Sequence, residues 1–280
     1  MAEYFAGVDI GSTMTKVVII REEIVNSVIG PTGPEHRRMA YRVMTEALDK
    51  SSLSFEELSY VVATGYGRIN VPFADKQVTE ISCHARGIHS LLPTVRTVID
   101  MGGQDSKGIR LKDGKVVNFV MNDKCAAGTG RFLEVIAESF GLRLEDLGRL
   151  SLSAEKTIRV SNTCTVFAEQ EIVSQLASGE RVENLIAGIH EAIATRIFGM
   201  LGRLKIEKDV AVTGGVAKNI GLVKALEDKF GYEMLIPPEP LLTGAIGAAL
   251  LGSDIFKKAA RSGSPVVRPD RRLKEVTFFS

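Results

Sequence analysis

Val8-Asp9-Ile10-Gly11-Ser12-Thr13-Met14-Thr15-Lys16 aligns without a gap on Ile99-Asp100-Met101-Gly102-Gly103-Gln104-Asp105-Ser106-Lys107. In both stretches an apolar strand delivers an aspartate, then a glycine, a small or polar turn, and a lysine. Glycine lets the backbone approach an anion closely and turn sharply, and turn amides can then point at it. An aspartate at a strand end can hold Mg²⁺, directly or through water. The repeat reads as two phosphate-gripping hairpins on two similar α/β half-domains, with ATP held in the cleft between them.

The surrounding pattern supports a duplicated α/β chain. Strands are expected at Phe5–Ile10, Lys16–Arg21 and Glu23–Ile29, and helical spacing runs from His36 to Lys50. A short strand, Tyr60–Ala63, leads into the glycine loop Thr64-Gly65-Tyr66-Gly67, and a helix spans Thr79–Leu92. In the second copy, Thr97–Asp100 and Lys107–Leu111 precede Asp113-Gly114, a favoured hairpin turn, and Lys115–Val120. Helices follow at Arg131–Phe140, Thr165–Ala177 and Val182–Leu204. The strand Asp209–Thr213 enters Gly214-Gly215-Val216-Ala217-Lys218-Asn219 and a helix at Ile220–Phe230. A last strand is expected at Tyr232–Ile236, then a loop forced by Pro237, Pro238 and Pro240, then a small-residue helix at Gly244–Gly252. Mixed sheets covered by helices suit this order. The half-domains are expected at 1–92 with 243–261 and at 93–242, leaving 262–280 as a basic extension.

A chain of 280 residues with net charge +1, 45% hydrophobic and 25% charged, has the composition of a soluble globular protein. Nothing suggests a nucleic-acid footprint. No apolar run reaches membrane-spanning length, and no signal-peptide pattern opens the chain. A cytoplasmic ATPase is expected. The three cysteines do not suggest a disulfide framework in that setting. Cys125 and Cys164 are not a CxxC pair, but each lies just ahead of a helix pattern, where unpaired amides and the helix dipole favour a thiolate. Cys83, on a helix with His84 and His89, reads as a packed thiol.

Asp9-x-Gly11-Ser12-Thr13 and Asp100-x-Gly102-Gly103-Gln104 resemble the two phosphate motifs of the actin, sugar kinase and heat-shock chaperone ATPase superfamily, whose fold is ribonuclease H-like. Thr213-Gly214-Gly215-Val216-Ala217 resembles its adenosine motif. Within it, the stretches from Asn122 to Glu134 and from Ser161 to Glu169 resemble the activator ATPases of 2-hydroxyacyl-CoA dehydratases and benzoyl-CoA reductases. Such proteins often carry a glutamine where Leu241 follows Pro240 here. The resemblance implies a twofold homodimer in which Cys125 and Cys164 of each chain bind one bridging [4Fe–4S] cluster. It implies Mg²⁺ and ATP, with Asp9 and Asp100 placing the metal. Gly11, Ser12 and Thr13 would meet the β- and γ-phosphates, with Lys16 either nearby or, as a lysine beginning the next strand, turned to solvent. Gly102, Gly103 and Gln104 would form a second clamp, with Gln104 orienting the attacking water and Asp105 helping there. Gly214, Gly215 and Lys218 would line the adenosine end. ATP hydrolysis would drive single electrons, received from a ferredoxin or flavodoxin, to a dehydratase or reductase component. No residue stands out as a general base, which positioning-dominated phosphoryl transfer tolerates. The rival readings are a small-molecule kinase of the same superfamily, without a cluster, and a non-enzymatic assembly protein.

Overall fold

The computed structural model describes residues 3–160, 165–266 and 271–274. Along the chain run β1 (Tyr4–Ile10), β2 (Met14–Ile20), β3 (Ile24–Pro31), α1 (His36–Ser51), β4 (Leu58–Thr64), β5 (Lys76–Gln77), α2 (Glu80–Leu91), β6 (Thr97–Met101), β7 (Ser106–Lys112) and β8 (Lys115–Asn122). They are followed by α3 (Gly130–Ser139), α4 (Leu147–Leu152), α5 (Thr165–Ala177), α6 (Val182–Leu201), β9 (Val210–Thr213), α7 (Ile220–Phe230) and α8 (Thr243–Ser262). The chain forms two compact units. The first holds Met1–Pro93, Asp113–Val116 and Leu241–Ser280; the second holds Thr94–Lys112 and Val117–Pro240.

In the first unit the sheet order is β3-β2-β1-β4-β5. β1 is antiparallel to β2 and parallel to β4. A strand covered on both faces needs a nearly continuous apolar run, and Phe5–Ile10 supplies one. Alternate residues face opposite ways. Ala6, Val8 and Ile10 pack with Ala40, Val43, Met44 and Ala47 of α1. Phe5 joins the opposite cluster, with Cys83 of α2 and Ala245, Ala248 and Ala249 of α8. Asp9 shares the parity of Phe5, so the strand delivers it to the α2/α8 side. There the two helices cross backbone to backbone: a Cβ on Gly247 would overlap the Cys83 carbonyl oxygen.

In the second unit the order is β8-β7-β6-β9, with β6 antiparallel to β7 and parallel to β9. Ile99 and Met101 face a core that includes Phe132 of α3, Ile189 and Ile193 of α6, and Leu222 of α7; Asp100, between them, has the opposite parity. The β7–β8 turn has positive φ at Asp113 (50°) and Gly114 (71°), as its dipeptide demands. Each sheet therefore sets an antiparallel hairpin beside a parallel strand, and the sequence repeat is also a repeat of topology.

Some expectations need correction. Tyr232–Ile236 is not a strand: Leu235 makes a single bridge to Ala211, and the prolines that follow remove the donors a ladder needs. α6 stops at Leu201, before Gly202, and α8 continues ten residues past the expected Gly252, to Ser262. β5, two residues long, and α4, six residues long, carried too little periodicity to be foreseen. The extension is anchored in the first unit: Leu273 packs on its core, and Arg271 Nη1 lies 2.8 Å from Asp75 Oδ2 with side chains 9% and 0% exposed.

Candidate nucleotide site and cysteine loop

The first hairpin closes where the Gly11 amide donates to Met14 O at 3.0 Å. Thr32, just past β3, pins the turn, its amide donating to Thr13 O at 2.8 Å and its hydroxyl to Gly11 O at 2.9 Å. Gly11 and Ser12 are half-buried and Thr13 is exposed, so the turn faces solvent while its base is fixed. Antiparallel register sets Lys16 opposite Asp9, and Lys16 Nζ donates to Asp9 Oδ2 at 3.0 Å with both side chains at most 10% exposed. Asp9 is also enclosed by Gly65, whose φ of +85° few side chains adopt and whose Cβ would crowd Asp9 Oδ1. A Cβ on Gly244, at the start of α8, would lie 3.1 Å from Asp9 Oδ2 and 3.0 Å from His84 Nε2.

The second hairpin repeats this construction. The Gly102 amide donates to Asp105 O at 2.9 Å, and Lys107 stands opposite Asp100 in register. Here Lys107 Nζ lies 2.7 Å from Asp105 Oδ1 and 3.7 Å from Asp100 Oδ2, while Thr213 at the end of β9 donates to Asp100 Oδ1 at 2.9 Å. Gly102 and Gly103 are half-buried, and Gln104 projects into solvent at the turn. Gly214, with φ +83°, follows Thr213 and donates its amide to Pro240 O at 3.1 Å. Gly215–Lys218 forms a 3₁₀ turn, and Asn219 caps α7 by accepting from the Leu222 amide. Lys218 is exposed and pairs with Glu239 at 2.9 Å. The buried carboxylates Asp9 and Asp100, each backed by a lysine, suit a divalent cation bound through phosphate oxygens and water. Among the described residues no three His, Cys, Asp or Glu side chains gather to complete a metal site alone.

Cys125 is a free, half-buried thiol in the loop between β8 and α3. Asn122 at the end of β8 holds this loop, donating to Cys125 O at 2.9 Å and Ala127 O at 3.3 Å. The loop is tied to the second phosphate hairpin. The Gly130 amide donates to Gly102 O at 2.9 Å and the Arg131 amide to Gly103 O at 2.8 Å. Ser106 Oγ donates to Gly128 O at 2.5 Å. These bonds correct one expectation: the leading amides of α3 serve the hairpin carbonyls, so they do not stand open to a Cys125 thiolate. Cys164 lies outside the described residues. Cys83 is fully buried, and burial pushes its thiol up to about 12, so it is the packed thiol its surroundings suggested.

Thus Asp9, Gly11, Ser12, Thr13 and Lys16 gather on one hairpin; Asp100, Gly102, Gly103, Gln104 and Asp105 gather on the other. Lys107 and Thr32 carry no role in the sequence reading, though the lysine stands inside the repeat, and Thr213 enters it only as the opening residue of the glycine motif. The threonines gain their place from strand register, which the repeat alone does not reveal.

The family comparisons agree with this construction. The chain is 47% identical, over 91% of its length and 99% of the relative's, to the activator of lactoyl-CoA dehydratase from Anaerotignum propionicum. The crystal structure of component A of (R)-2-hydroxyglutaryl-CoA dehydratase from Acidaminococcus fermentans superposes with a TM-score of 0.87 at 44% identity, over 92% of this chain and 99% of that one. The activator of 2-hydroxyisocaproyl-CoA dehydratase from Clostridium difficile, solved with bound ADPNP, gives 0.86 at 43% identity, over 92% and 97%. Residues 6–252 match the BadF/BadG/BcrA/BcrD ATPase family, and with the duplicated hairpin-bearing sheets this establishes that the chain is a member of that family, an ATPase of actin-like fold.

Proposed function

We infer that this ATPase is an activator of a 2-hydroxyacyl-CoA dehydratase or a related reductase, converting nucleotide turnover into a change at the Cys125 loop. The observation that carries the reading is the set of bonds from Gly102, Gly103 and Ser106 to Gly130, Arg131 and Gly128. A phosphate gripped or released by the second hairpin would pull directly on the backbone that positions Cys125. Names of relatives that activate such dehydratases support the same partner class.

In this reading Asp9 and Asp100 place Mg²⁺ and its waters, and turn amides at Gly11, Ser12 and Thr13 meet the β- and γ-phosphates with Lys16. Gly102, Gly103 and Asp105 form the second clamp. Gln104, exposed on that turn, orients water. Gly214, Gly215 and Lys218 line the adenosine end, where Lys218 would exchange Glu239 for ligand. Cys125 suits a soft metal centre: it is a free thiol, and the backbone around it is held by hydrogen bonds. With Cys164, and the same pair from a second copy in a twofold dimer, it would hold a [4Fe–4S] cluster, which supplies a one-electron donor of low potential. A ferredoxin or flavodoxin would be the source of reducing equivalents. The chain's own part is to bind nucleotide, align water and transmit hairpin movement to the cysteine loop.

The test is anaerobic purification followed by iron analysis, ATPase assay and electron delivery to a dehydratase component with and without Mg-ATP. The expected result is iron at about four per dimer, lost in Cys125→Ser, and delivery that requires ATP. Iron-free dimers, or equal delivery without ATP, would overturn the reading.

A further inference from the structure

The two halves place the same three side chains at the head of each sheet. Asp9 faces Lys16 across the hairpin and Thr64 across the parallel pair; Asp100 faces Lys107 and Thr213 in the same way. Each threonine precedes a glycine of positive φ, +85° at Gly65 and +83° at Gly214. The trios nevertheless differ in their bonding. In the second unit Thr213 donates to Asp100 at 2.9 Å, and Lys107 has moved toward Asp105 at 2.7 Å. In the first unit Lys16 holds Asp9 at 3.0 Å, and the Thr64 hydroxyl, wholly buried, has no oxygen or nitrogen partner among the described residues. The hydroxyl's bond to the Cys83 thiol is to a weak acceptor.

The repeat explains the difference. Met14 occupies the position of Asp105, so the first hairpin offers Lys16 no second anion. We propose that Thr64 is a positioning residue, held only by the Cys83 thiol until a nucleotide phosphate draws Lys16 away from Asp9. Asp9 then accepts from Thr64 as Asp100 accepts from Thr213, and bound phosphate plays for Lys16 the part that Asp105 plays for Lys107. Asp9 Oδ1 already lies against the backbone of Gly65, and strand register sets Thr64 opposite Asp9. A ligand shifts an equilibrium by its differential affinity for the two states. A hydrogen bond made only with phosphate present therefore adds to phosphate affinity. The inference rests on the nucleotide reading of the first hairpin.

The test compares full-length Thr64→Val, Thr64→Ser and Thr213→Val for ligand-free thermal unfolding and for Mg-ADPNP and adenosine binding by calorimetry. Thr64→Val is expected to unfold no earlier than wild type, to bind Mg-ADPNP about tenfold more weakly, a loss the size of one net hydrogen bond, and to bind adenosine unchanged. Thr64→Ser restores affinity. Thr213→Val, which breaks a bond already made, unfolds earlier without ligand. Thr64→Ala carries the same expectation if valine fails to pack. Wild-type nucleotide affinity in both Thr64→Val and Thr64→Ala, or a ligand-free destabilisation of Thr64→Val equal to that of Thr213→Val, would overturn the role of Thr64 alone. A wild-type protein that binds no Mg-ADPNP would overturn the nucleotide reading and this inference together.

Discussion

Lys16 and Asp9 form a buried pair whose members depend on each other. Removing one charge from such a pair leaves the other uncompensated, at a cost of about 3–5 kcal/mol. Lys16→Met is expected to lose stability of that order in urea unfolding, and Lys16→Met/Asp9→Leu to recover much of it while remaining unable to hydrolyse ATP. Both residues were legible in the sequence, because the repeat fixes them at equal spacing. The partner choices were not. Lys107 sits nearer Asp105 than Asp100 because the hairpin's second carboxylate folds back over the turn, which spacing alone does not reveal.

Elements show where the one-dimensional pattern stops. α5 and α7 fall where periodicity and capping place them, since Asn219 and Gly231 punctuate α7 strongly. The crossing of α2 on α8 depends on missing side chains. Gly247→Ala would drive a methyl into the Cys83 carbonyl and should cost about 3 kcal/mol, read by chemical denaturation.

A second feature invisible in sequence links α4, α6 and α7. His190 bonds to Ser151 at 2.9 Å and to Asn219 at 3.2 Å, and burial pushes its imidazole down to about 3, from 6.5. The unfolded chain therefore takes up a proton below pH 6.5 that the folded unit refuses. Stability is complete above that pH and falls toward pH 3, by about 1.4 kcal/mol per unit. Urea titrations across this range should show that slope, and His190→Gln should flatten it. Nothing in the spacing of His190 distinguishes it from a surface histidine on a long apolar helix.

At the scale of the whole molecule, the duplicated topology was the most legible property, since two copies of one motif require two copies of the sheet that presents it. The link between the second hairpin and the Cys125 loop was hidden, because it consists of two backbone bonds and one serine bond between residues more than twenty positions apart. A ligand that binds only folded protein stabilises it by about 2.7 kcal/mol at a hundredfold excess over Kd. Mg-ADPNP should therefore raise the melting temperature, and Cys125→Ser should keep that rise.

The salt link of Arg271 to Asp75 bears on how this protein can be shortened. The family match ends at residue 252, a tempting place to cut a gene for expression or domain grafting. Such a cut would take away the guanidinium that faces a carboxylate wholly shut off from water. The natural border for any trimmed version lies beyond Leu273, and a tag belongs after it.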